Sequence, residues 1–215
     1  MKIIIVIPAF NEERRIGKVL SKLRDKGYYF VVVDDGSKDK TFQVARRFTP
    51  HVFRHSVNLG KGAALKTGCL AAFRLGAEAV ILMDSDGQHK ASDLPKFVKS
   101  LKSYDVVFGA RDFKGSPTVR LLGNKLITIL TSLLFGISVS DILCGFKAFS
   151  RGAFKKIRWS SLGYSVETEI VAQSGKNHLK YCEVPVATVY YDKFKGLTPE
   201  TGLEILFDLM LFRLR

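Results

Sequence analysis

Cysteine is scarce and scattered in this chain. Cys69, Cys144 and Cys182 are odd in number and form no C-x-x-C pair. That pattern excludes a disulfide framework and a thiolate zinc site, and it fits a reducing compartment. Long apolar runs are missing too. The run at residues 3–7 stops at Pro8 and is followed by Asn11, Glu12 and Glu13, so it reads as a buried first strand rather than a secretory signal. The longest uncharged stretch, residues 126–140, contains Thr128, Thr131, Ser132 and Gly136. It falls short of the ~20 predominantly apolar residues a spanning helix requires, so no transmembrane helix is expected.

Several nucleotide signatures are also absent. No G-x-G-x-x-G follows "KIIIVI", which argues against a dinucleotide-binding unit. "NLGKGAALKTG" has Leu65 where a phosphate loop needs glycine before Lys66 and Thr67, which excludes a P-loop ATPase. Gly60 and Gly62 at a helix start could still approach a ligand closely, with Lys61 meeting phosphate; a plain loop entering a helix fits as well. Lysine and arginine are dispersed, without RNP1, helix-turn-helix or zinc patterns, so nucleic acid is not an expected partner.

What is abundant is positive charge. The formal net charge of +14 over 215 residues implies attraction to an anion: nucleic acid, acidic lipid or a phosphorylated substrate. Charge alone does not choose among them.

Val- and Ile-rich runs at "KIIIVI", "YYFVVVDD", "AEAVILMD" and "YDVVFGA" alternate with helix-length amphipathic stretches near residues 12–26, 40–48, 61–75 and 92–101. That rhythm predicts an α/β fold built of βαβ units on a largely parallel sheet, with ligands at the carboxyl ends of the strands. After Gly109 the pattern predicts a long helix over 119–135, a short "GFKAF" segment, a helix near 166–174, a strand pair around "KYCEVPVATVYY" and a terminal helix.

Three polar clusters follow the long strands: "PAFNE" (Pro8 to Glu12), "DDGS" (Asp34 to Ser37) and "DSDGQ" (Asp84 to Gln88). Alternate residues of an extended chain point the same way, so Asp84, Asp86 and Gln88 could offer oxygens to one hard cation, Mg²⁺ or Mn²⁺. Asp-Ser-Asp-Gly is equally ordinary turn chemistry. In "DDGSKD", Ser37 or Asp39 would cap the next helix, leaving Asp34 or Asp35 for ligand contact.

Taken in order, "PAFNEE", "VDDGSKD", "NLGKGAALKTG", "MDSDGQH", "GAR", "DILCGFKAFSR" and "EVPV" resemble the family 2 glycosyltransferases, specifically the dolichyl-phosphate (polyprenyl-phosphate) hexose synthases. The resemblance spans nearly the whole chain. It implies a GT-A (Rossmann-like) catalytic domain over residues 1–198, and transfer of mannose or glucose from a nucleotide-sugar (GDP-mannose or UDP-glucose) to dolichyl or polyprenyl phosphate. The alternative is a family member acting on a sugar or other hydroxyl, with Asp141, Glu167 or Glu169 as base.

By the same resemblance, Pro8, Phe10, Glu12 and Asp35 border the nucleoside, Asp84 and Ser85 lie along the donor, and Asp84, Asp86 and Gln88 hold the cation. Arg111 meets donor or acceptor phosphate, and Arg120, with Asn124 beside it, the acceptor phosphate. Asp86, Arg111 and Arg120 are the expected catalytic residues. The chain departs from the family pattern at Phe10, where tyrosine is frequent, at Lys147, where arginine is usual, and in "DKFKGLT", which carries Lys193 and Lys195.

Two helices complete the reading. Over 119–135, Arg120, Asn124, Thr128 and Thr131 share one stripe, and Leu122, Leu126, Ile129, Leu130 and Leu133 the other. Over 199–215, Leu203, Leu206, Phe207, Met210, Leu211 and Leu214 form one apolar stripe and Ile205, Leu209 and Phe212 a second. Such amphipathic helices predict docking on the cytoplasmic side of a membrane, as a peripheral protein, or a subunit interface in a homo-oligomer.

Overall fold

The computed structural model describes residues 1–112, 118–187 and 199–214; the side chains at 118–122, 124 and 199–206 lie outside that description. A seven-stranded sheet has the order β3-β2-β1-β4-β6-β5-β7. Its strands are β1 (Ile3–Ala9), β2 (Phe30–Asp34), β3 (Val52–Arg54), β4 (Ala79–Leu82), β5 (Val106–Arg111), β6 (Lys147–Ser150) and β7 (Tyr181–Val186).

Strands β1, β2 and β4 are buried almost throughout, as their continuous Val/Ile runs require of a sheet covered on both faces. β1 pairs in parallel with β2 and β4, and β5 with β7. β6 runs antiparallel between β4 and β5, so the sheet is mixed. It is the "GFKAF" segment, and the reason it fits there is the side chain at its start. Lys147 is fully buried, yet its ammonium donates to the carbonyls of Ile142 (2.9 Å) and Cys144. Burial pushes its pKa down.

Helix α1 (Ile16–Asp25) lays Ile16, Val19, Leu20 and Leu23 on one face of the sheet, joined there by α2 (Thr41–Arg46) and α4 (Leu94–Ser100). The other face carries α3 (Lys61–Arg74), α5 (Thr118–Phe135), α6 (Arg151–Lys156), α7 (Val166–Lys176) and α8 (Pro199–Leu214). Only one strand, β7, occupies the described part of the expected strand pair; residues 188–198 lie outside the described residues.

The expected stripes of α5 need correction. Thr131 is fully buried and donates to Ile127 O at 2.7 Å, so it belongs to the core face, not to a phosphate-facing one. Leu126, Ile129 and Leu133 are exposed. In α8, Leu209 and Phe212 are buried, while Phe207, Met210 and Leu214 are exposed. No described helix is long and apolar enough to cross a membrane.

Candidate active site at the carboxyl rim of the sheet

The carboxyl ends of β1, β2 and β4 lie side by side, because these strands are parallel neighbours. Their loops are therefore brought together, and hydrogen bonds stitch the first two. Asn11 N donates to Ser37 Oγ (2.9 Å), Lys38 N to Asn11 Oδ1 (2.9 Å), Glu12 N to Thr41 Oγ1 (2.8 Å) and Glu13 N to Asp39 Oδ2 (3.1 Å). Asp39 also accepts from Thr41 N at 2.9 Å; the N-cap position of α2 is Lys40, without a side-chain capping bond, so neither Ser37 nor Asp39 is the cap expected. Pro8 is buried under this rim, Phe10 is exposed on it, and Glu12 lies 3.4 Å from Arg15.

The third loop holds the carboxylates. After β4 the chain does not continue extended: residues 85–86 form a turn, Gln88 N donates to Asp86 Oδ1 at 2.9 Å, and Gly87 has φ +81. The alternation of Asp84, Asp86 and Gln88 is thus that of an Asx-type turn and not of a strand edge. Asp84 turns toward α3 and α7, where Lys61 Nζ sits 2.7 Å from Asp84 Oδ1 and 2.6 Å from Glu167 Oε1. Burial by itself raises the Asp84 carboxyl, but the Lys61 ammonium outweighs it and holds the pKa at about 2. Lys61 is raised in return, its two carboxylates overcoming its own burial. Asp86 goes the other way: burial, then the charge of Asp84, raise it. His89 is buried against Phe146, its ring centroid 4.7 Å away, and burial lowers its pKa.

Close packing fixes this trio. A Cβ on Gly145 would lie 2.5 Å from Asp84 Oδ2, and one on Gly62 would lie 2.0 Å from Ser161 O. Both glycines therefore make room for the chain's own atoms. The 160–161 segment is held by Glu169, which accepts from Ser160 N (2.9 Å) and Ser161 N (2.8 Å). Beyond it, Leu162 and Tyr164 are exposed, the Tyr164 ring 5.9 Å from Lys61 Nζ.

Three comparisons with known proteins bear on this rim. The model of "Glycosyl transferase family 2" matches residues 4–158. The chain belongs to glycosyl transferase family 2. Among its relatives, the UDP-N-acetylglucosamine--dolichyl-phosphate N-acetylglucosaminyltransferase of Methanococcus voltae is 30% identical, covering 99% of this chain and 96% of its own length. The dolichyl-phosphate beta-glucosyltransferase of Trichomonas vaginalis is 32% identical, covering 85% of this chain and 64% of its own. The fold is shared with glucosyl-3-phosphoglycerate synthase of Mycobacterium tuberculosis, solved with Mg²⁺ and uridine-diphosphate: TM-score 0.76, 22% identity, 99% of this chain and 79% of that one. The GT-A expectation therefore holds.

Within this family 2 domain, several expected ligand residues are engaged by the chain itself. Asp35 is buried, 2.6 Å from His55 Nδ1, and accepts from Leu59 N (3.0 Å) and Gly60 N (2.8 Å). It latches the loop that starts α3. Arg111 is gripped by buried Asp141, Nε to Oδ2 at 2.6 Å and Nη2 to Oδ1 at 2.8 Å, a bidentate pair that aims the guanidinium. Lys61 lies between two carboxylates, Asp84 and Glu167. The side chains of Arg120 and Asn124, and Lys193 and Lys195, lie outside the described residues. Ser85 is buried beside Asp84. Sequence reasoning missed His55 and the Lys61–Glu167 pair; the second spans 106 positions and has no local signal.

Among the described residues no cluster of three or more His, Cys, Asp or Glu is poised as a metal cage. The donor set still fits a hard cation. Asp84, Asp86 and Gln88 would supply oxygens, and the raised Asp86 carboxyl beside ionised Asp84 is the electrostatic situation a divalent cation relieves. With two or three protein oxygens, the rest of the coordination shell would come from water and a diphosphate, the usual habit of Mg²⁺.

Proposed function

We propose that this family 2 glycosyltransferase moves a hexose from a nucleoside-diphosphate sugar to the phosphate of a dolichyl or polyprenyl lipid. The observation that carries the lipid-phosphate reading is the state of the candidate bases. A hydroxyl acceptor needs a general base, whereas a phosphate monoester is mostly ionised near neutral pH, its second pKa being about 6. Asp141 is spent on Arg111, Glu169 on the 160–161 backbone, and Glu167 on Lys61. Relatives whose names specify dolichyl-phosphate transfer support the same choice.

In this mechanism an acceptor phosphate oxygen attacks the anomeric carbon in line, and the bond from that carbon to the nucleoside diphosphate breaks with inversion. Asp84, Asp86 and Gln88 would hold Mg²⁺ or Mn²⁺, which when bound supplies Lewis-acid stabilisation of the departing diphosphate. Arg111, fixed by Asp141, presents positive charge at the same rim, where preorganised donors lower the barrier most. Phe10 and Pro8 offer an apolar bed for the base.

The test is a donor panel of GDP-mannose, UDP-glucose and UDP-N-acetylglucosamine with dolichyl phosphate or soluble sugars as acceptor. Lipid-linked sugar from one donor, abolished by chelator, is expected; transfer only to soluble hydroxyls would select the alternative.

The exposed apolar residues of α5 and α8, neighbours in the fold, support peripheral docking on an anionic membrane, as does the +14 charge. Each such side chain gains roughly 1.5–3 kcal/mol when fully buried. Leu133→Glu with Met210→Glu should cut sedimentation with anionic liposomes at least about tenfold on that scale. Unchanged sedimentation would point to another surface.

A further inference from the structure

A cavity of about 240 Å³ opens between α1 and residues 86–91, and neither Lys61, Asp84 nor Glu167 lines it. Arg14, Arg15, Lys18 and Lys22 line it, facing Asp86 and His89. Arg14, in the turn before α1, and Lys18 and Lys22, four apart on one face of α1, are exposed. Among the described residues none of these three has an ion-pair partner. Of the acids beside α1, Glu13 accepts from Lys40 N at 2.9 Å and Glu12 lies against Arg15, so Asp86 is the one carboxylate lining the cavity.

This arrangement works against the helix. Like charges one turn apart, as at Lys18 and Lys22, repel, and Lys18 in the first turn opposes the helix dipole, although Lys22 in the last turn favours it. Nothing in α1's own packing, which uses Ile16, Val19, Leu20 and Leu23, calls for them. An anion in the cavity turns the repulsion into attraction. We propose that this cavity is a second anion site, on the α1 side of the donor rim with which it shares Asp86, that takes a phosphate-bearing ligand of about pyrophosphate size. The chemistry is shared by a free diphosphate and a phospholipid headgroup.

The full chain, in EDTA and low salt, is titrated with inorganic pyrophosphate by calorimetry. EDTA silences cation-dependent donor binding, so the outcome does not depend on the transferase reading. Binding is expected, weakened at least tenfold in Lys18→Glu/Lys22→Glu but kept in Lys155→Glu/Lys156→Glu, which makes the same charge change on α6. Competition by phosphatidic acid vesicles identifies a lipid headgroup as the source; no competition identifies a free anion. Absence of binding, or equal weakening by both double variants, overturns the proposal.

Discussion

Replacing Asp86 by alanine is expected to lower sugar transfer by on the order of a hundredfold or more, the scale for removing one preorganised stabiliser of developing charge. The fold should persist. Asp86 accepts one backbone hydrogen bond, from Gln88 N at 2.9 Å, worth about 0.5–1.5 kcal/mol net. Against that loss, its carboxyl is held in a place that disfavours it: burial and the neighbouring Asp84 both push its pKa up. Removing it relieves that strain, so thermal unfolding without metal should move little. Asp86→Asn keeps the acceptor for Gln88 N and loses the charge, and it should be as inactive as alanine. Transfer assays with each variant, beside circular dichroism melts, decide the matter; full activity of either would sink the cation assignment.

Lys61→Met should have the largest effect on stability. The ammonium lies between Asp84 and Glu167 at 2.7 and 2.6 Å, and all three groups are largely buried. Methionine fills similar volume but leaves two carboxylates facing each other without their counter-ion. Breaking a buried pair in this way costs about 3–5 kcal/mol. In a chain of this length that is roughly a 10 °C drop in Tm. Asp84 would also lose the charge that keeps its pKa at about 2. Millimolar Mg²⁺ should recover part of the loss, because the stranded Asp84 then binds a cation more tightly than in the wild type. Melts in EDTA and in Mg²⁺ measure both effects. A loss below about 1 kcal/mol, the range of an exposed ion pair, with no response to metal would show that Lys61 is an ordinary surface lysine.

The sheet was legible where burial produced long apolar runs. β1, β2, β4 and β5 are such runs, and their parallel order follows from the helices between them. β3 escaped notice because its three residues, Val52 to Arg54, are partly or fully exposed and carry no alternation. β6 was obscured by Lys147, a residue that sequence patterns assign to solvent. Two backbone carbonyls satisfy its ammonium, and that is invisible in one dimension. The α1 boundary came late because Glu12 and Glu13 are used in loop stitching rather than in the helix.

The sequence by itself determined the α/β class, the rim on which the polar clusters gather, and the family, since turn chemistry and apolar periodicity act over a few residues. Tertiary structure alone decided which charges are working parts and which are braces. Asp35, Arg111 and Asp141 look alike as candidate ligands until their partners are seen, and Lys61 meets Glu167 only because α7 packs beside the start of α3. The reason is physical: a charge acquires its role from what shields and pairs it, and in a folded chain those partners come from distant segments.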